Sequence, residues 1–183
     1  MEDSPYIIHS SEVAWSCLYW QVRRDKIGLP NGKEGEYFYV EKPPCVFVVP
    51  VTNDNKVILI RNYRHPVKSW CWEVPAGGVE KDQTLEQAAK AELQEEVGGE
   101  AKNIEFITKF YFSNGMSNEE AQLFLATGVS IGEHDREEFE IIESHEVSID
   151  DALIMAKNGQ IKDAPSALAI LLCEELLNSL NKT

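Results

Sequence analysis

One stretch constrains this chain more than any other: Thr84 to Gly98, with the loop Val74-Pro75-Ala76-Gly77-Gly78 before it. Thr84 and Gln87 have the spacing of a capping box, in which each side chain satisfies a backbone donor at a helix start. Gly98 and Gly99 supply the stop, because glycine accepts the left-handed conformation that ends many helices. At about 100° per residue, Leu85, Ala88, Ala89 and Leu93 form one stripe, and Gln87, Lys90, Ala91 and Gln94 lie roughly opposite. Glu92 and Glu96 fall inside the apolar stripe, and Glu95 falls at its edge.

That phase decides between two readings. An acidic run is ordinarily a solvated helix face. Two carboxylates on an inward face instead repel each other and lose hydration, so they need a cation or a proton. Three oxygen ligands on one face, beside a glycine loop, suit a hard divalent ion such as Mg2+.

These residues carry a resemblance. Gly77, Glu92, Leu93, Glu95, Glu96 and Gly98 are similar to the Nudix box, G-x5-E-x7-R-E-U-x-E-E-x-G-U, where U is a bulky apolar residue. Gln83 and Ala91 stand where the box has Glu and Arg, and Gly99 stands at its last U. The resemblance implies that Glu92, Glu95 and Glu96 are metal ligands, with Mg2+ as the ion and Mn2+ as the alternative. It also implies an α/β/α sandwich around a mixed sheet, with a small N-terminal antiparallel sheet added.

The 183 residues suffice for one sizeable core with a small appendage. A net charge of −14 argues against sequence-independent nucleic-acid binding, which needs clustered Lys and Arg. A small phosphorylated substrate remains compatible, since a metal and one or two local cations can set the field at a site. Cys17, Cys45, Cys71 and Cys173 are scattered, so neither structural zinc nor a disulfide framework is indicated. The chain shows no signal-peptide pattern and no apolar run long enough to span a membrane, so the expectation is a cytoplasmic protein.

Along the chain, residues 1–42 read as short strands and 43–183 as the main domain, divided at Lys42-Pro43-Pro44. Val13 to Arg24 is rich in aromatic and β-branched residues, Leu29 to Gly32 is turn chemistry and Gly35 to Val40 resumes a strand. Trp15, Tyr19 and Trp20 supply apolar surface for core or dimer packing. Val46–Val51 and Lys56–Arg61 read as a hairpin. Arg61-Asn62-Tyr63-Arg64 and Trp70-Cys71-Trp72-Glu73-Val74-Pro75-Ala76-Gly77-Gly78 resemble motifs of the ADP-ribose pyrophosphatase branch of the family, and so does Ser113 to Glu120 after the box. The resemblance implies that Arg64 contacts substrate phosphate, that Gly77 and Gly78 line the substrate site, and that the Ala76 carbonyl is a metal ligand. Glu73 either supports the site or pairs with a nearby arginine. Ser148 caps a helix Ile149–Lys157, and Asp163 caps a long last helix, Ala164 to Leu180.

The implied reaction is metal-dependent hydrolysis of a nucleoside diphosphate linked to a sugar. ADP-ribose is the first substrate and GDP-mannose-type sugars are the nearest competitors. Position matching implies a general base in the acidic run after Gly132, with Glu138 first and Glu140 second. Glu95 is counted both as a ligand and as a catalytic residue. The branch also implies a homodimer that exchanges its N-terminal part. Gln83 and Ala91 motivate the alternative of a binding or sensor module that kept the fold and lost fast chemistry.

Overall fold

The computed structural model describes residues 4–132 and 141–182. They fall into two compact units, 4–44 with 110–120, and 45–109 with 121–132 and 141–182.

The first unit is built on a three-stranded antiparallel sheet, β1 (Ile7–Ser16), β2 (Gln21–Gly28) and β3 (Glu34–Glu41), in the order β1-β2-β3. Within the aromatic-rich stretch Val13–Arg24 the chain reverses between β1 and β2. The Cys17 N–H donates to the Trp20 carbonyl at 3.0 Å, and the Trp15 and Trp20 rings meet at 4.8 Å, tilted by 48°, across the turn. The two aromatics thus staple a reversal. The second turn forms where expected, with Gly32 at φ 78° and its N–H on the Leu29 carbonyl. The loop 113–119 lies along β3: the Val40 N–H donates to Met116 O and the Asn118 N–H to Val40 O.

The second unit holds a mixed sheet. It contains β4 (Cys45–Thr52), β5 (Lys56–Arg64), β6 (Ser69–Glu73), β7 (Ala76–Gly78), β8 (Gly99–Glu100), β9 (Asn103–Tyr111), β10 (Glu120–Ile131) and β11 (Ile142–Ser148). The central order is β11-β5-β4-β10-β8, with β6 on β5, β7 on β4 and β9 on β10. β4 and β10 run parallel, whereas β5 is antiparallel to β4, β6 and β11. Every residue of β4 is buried, as befits an unbroken apolar run covered on both faces.

The helix α1 (Leu85–Val97) packs on β4, β7 and β8. Its Ala88, Ala89, Leu93 and Val97 close a core with Val46, Val48, Ile58, Ile60 and Phe124. On other strand positions α2 (Ile149–Lys157) meets β5 and β11, and α3 (Ala164–Leu172) meets β4 and β6. The layers are helix, sheet, helix, as expected. The long last helix is interrupted. α3 and α4 (Glu174–Leu180) meet at the buried Cys173, whose N–H is shared between the Ala169 and Ile170 carbonyls at 3.2 Å each. No described helix is long and apolar enough to cross a membrane.

Candidate active site

The site is assembled by α1 and the loop before it. Thr84 and Gln87 form the capping box in full, and Gly98 ends the helix at φ 65°. The phase read from the sequence is observed for the inward carboxylates and for Gln87 and Lys90, whereas Ala91 and Gln94, expected on the solvent face, are half-buried. Glu96 is 2% exposed, Glu92 is half-buried and Glu95 is exposed. Gln87 and Lys90 face solvent.

The two inward carboxylates clasp the loop. Glu96 Oε2 accepts the Ala76 N–H at 3.0 Å. The Glu92 carboxylate lies against Gly77 so closely that a Cβ there would overlap it. Gly77 therefore leaves the room that the Glu92 carboxylate occupies, and a larger residue there would displace that carboxylate. Gly78 has nothing within 4 Å of its Cβ direction, so that side of the loop is open. Gly99, the departure from a bulky residue, has a similar cause. A Cβ there would stand 2.9 Å from Leu93 Cδ1 and 3.1 Å from Val129 Cγ1, which already fill the space.

Gln83, the other departure, braces the loop locally. Its Oε1 accepts the Glu80 N–H at 3.1 Å, and its own N–H donates to the Glu80 carbonyl at 3.2 Å. Ala91 is half-buried.

On the far side, the loop is pinned by two residues whose part in the site the sequence did not reveal. The Val74 N–H donates to Ser166 Oγ at 3.1 Å, and that fully buried hydroxyl donates to Asp163 Oδ2 at 2.6 Å. Asp163 also accepts the Ser166 N–H, so the cap of α3 and the anchor of the loop are one device. The cap was legible, but the long-range bond from Val74 leaves no local sequence signal.

Glu73 makes the arginine pair that its sequence position allowed. It is 4% exposed and pairs with Arg64, which donates through Nε at 2.9 and 3.1 Å and through Nη2 at 2.6 Å. The pair raises the Arg64 pKa. Hydrogen bonding to Glu73 is the chief cause, burial opposes it, and the charges of Glu73, Glu96 and Asp163 add to it. Between them Cys71 is pushed up by burial, then by Glu73 and Asp163. Glu138 and Glu140, expected as bases, lie outside the described residues.

The groups expected as metal ligands, the Glu92, Glu95 and Glu96 carboxylates and the Ala76 carbonyl, are all hard oxygens. That set suits Mg2+ or Mn2+ and not a soft metal. Among the described residues no three His, Cys, Asp or Glu side chains already converge on one point. Glu92 and Glu96 instead hold the loop groups beside which an ion would sit.

The NUDIX domain model matches residues 41–168, a span that contains the loop, α1 and the Arg64–Glu73 pair. The chain belongs to the NUDIX domain family. This NUDIX chain is 38% identical over 148 residues to an ADP-ribose pyrophosphatase of Bacillus subtilis, covering 80% of each sequence. It is 33% identical over 162 residues to a methanol dehydrogenase activator of Bacillus methanolicus, covering 87% of this chain and 88% of that one. A crystal structure of an ADP compounds hydrolase superposes with a TM-score of 0.86 over all of both chains at 19% identity, a likeness of fold.

Proposed function

We propose that this NUDIX protein is a divalent-metal-dependent pyrophosphohydrolase that cleaves ADP-ribose to AMP and ribose 5-phosphate, with Mg2+ as its ion. The observation that carries the reading is the clasp of Glu92 and Glu96 on Ala76 and Gly77. It brings buried negative charge and an open peptide loop together, which is costly unless positive charge joins them.

A bound divalent ion would neutralise the diphosphate and lower the pKa of a coordinated water. Glu92, Glu95, Glu96 and the Ala76 carbonyl are the groups that would hold it. Arg64 takes a phosphate oxygen, where a guanidinium makes short charge-assisted bonds. Gly78 lets the diphosphate approach the loop without side-chain obstruction, and Gly77 leaves room for the Glu92 carboxylate beside it. Water attacks one phosphorus in line, and the phosphate of the other half leaves. The water's proton goes to a glutamate of the 133–140 run, Glu138 before Glu140. The barrier is mainly electrostatic, so the fixed charges carry most of the work.

The protein acts as a homodimer in this reading. In the first unit Leu18 is 88% and Tyr19 74% exposed, and Ile7, Ile8, Trp15 and Phe38 are exposed with them, more apolar surface than an isolated small sheet keeps in water. The four free cysteines fit a reducing cytoplasm. Gln83's hold on Glu80 favours an enzyme over a binding module, because the loop stays braced without the box Glu and Arg.

The test is an assay of ADP-ribose with Mg2+ and with Mn2+. The expected result is AMP and ribose 5-phosphate, abolished by chelation. Tight ADP-ribose binding in calorimetry without turnover would instead make the protein a sensor. Turnover of GDP-mannose-type sugars in preference to ADP-ribose would change the substrate and leave the chemistry.

A further inference from the structure

We propose that Glu73 is a positioning residue, which holds Arg64 preset for the substrate diphosphate; the inference rests on the site reading above. The register explains how the two meet. Ile60 pairs with Glu73 and Arg64 with Ser69, so Arg64 and Glu73 share a face of the β5–β6 ribbon and Arg64 reaches back past Cys71. Ile60 belongs to the core closed by α1, which places this face on the side of the Glu92–Glu96 clasp.

The pair is asymmetric. The Glu73 side chain is 5% exposed and the Arg64 side chain 49%. The carboxylate is the fixed member, because burying it without a cation is costly. The guanidinium is the presented member. Glu73 takes the Nε and Nη2 edge, and Nη1 has no part in the pair. A planar fork bound along one edge keeps its other edge for a second oxyanion, which lysine could not do. Glu73 is fixed in turn by the next residue, whose N–H is held by the buried Ser166. An arginine held this way has given up its rotamer freedom before substrate arrives, so binding need not supply that ordering. A surface ion pair of merely structural value predicts something else, a small change in stability and none in substrate affinity.

The experiment compares wild type with Glu73→Gln, Glu73→Ala, Arg64→Ala and the double variant Glu73→Ala/Arg64→Ala. It uses steady-state kinetics on ADP-ribose with Mg2+, calorimetric ADP-ribose binding and thermal melting. Glu73→Gln is expected to raise KM about fivefold to tenfold, with kcat within about twofold of wild type. The double variant is expected to match Arg64→Ala alone, since the glutamate acts only through the arginine. If Glu73→Ala does not fold, Glu73→Gln paired with Arg64→Ala carries the same comparison. An active wild type with an unchanged KM in Glu73→Gln, or additive effects in the double variant, would overturn the positioning role and leave the function intact. A wild type that neither binds nor cleaves any nucleoside diphosphate sugar overturns both.

Discussion

Strands β1 and β4 are both rich in apolar residues, yet all ten residues of β1 are exposed and all eight of β4 are buried. The difference is in what stands opposite. β4 sits between β5 and β10 with α1 and α3 packed on it, so its Val46, Val48, Val49 and Val51 find partners within the same unit. β1 is the edge of a three-stranded sheet, and its Ile7, Ile8, Val13 and Trp15 stay exposed. Apolar composition makes a strand able to be buried, and a second layer is what buries it. The closed unit keeps even a carboxylate, Glu96, out of water, while the open one leaves tryptophan in it.

The severest test of the closed unit is Glu96→Gln. It keeps the shape and removes the buried charge, so kcat/KM is expected to fall by roughly a thousandfold, the several kcal/mol that a metal's charge stabilisation supplies. A melting temperature at or above wild type would separate this loss from unfolding. Next in size is Ile58→Ala beside β4, expected to cost about 3 kcal/mol in urea unfolding because the cavity cannot collapse in a packed core. The matching change in the open unit, Trp15→Ala, is expected to stay within about 0.5 kcal/mol for the monomer. It should weaken the proposed dimer about tenfold, read by sedimentation, since exposed aromatics contribute through a partner. Equal unfolding costs for the two variants would break the comparison.

Cys173 sharpens it. Burial holds its thiol up from 9.0 to about 12, so it is neutral in the folded protein. The sign follows directly. A raised folded value keeps its contribution intact below pH 9, and stability is lost as pH rises from there toward 12. The Cys173→Ser variant should show a flatter alkaline limb. At pH 8, Cys17 is expected to react with a thiol reagent at once and Cys173 only after unfolding. The smallest effect is at the wet face of α1. Removing the Lys90–Glu86 pair by Lys90→Ala should cost no more than about 0.5 kcal/mol.

Much of the site was legible beforehand because it is local. A capping box, a terminal glycine and a 3.6-residue period are properties of neighbouring residues, so the start, the end and the buried face of α1 follow from them. Where the reading stopped short, the deciding contact was between residues the pattern could not weigh. The turn inside Val13–Arg24 lies where Trp15 meets Trp20, and the last helix is interrupted at the buried Cys173. Glu73 had two readings until the β5–β6 register set it beside Arg64.

The sequence by itself determined which carboxylates turn inward, because helical phase is set by chain geometry alone. Only the tertiary structure decided what meets them. Glu96 reaches Ala76 across 20 positions and Ser166 reaches Val74 across 92. Such contacts depend on how layers close over one another, and no periodicity within one segment carries that information.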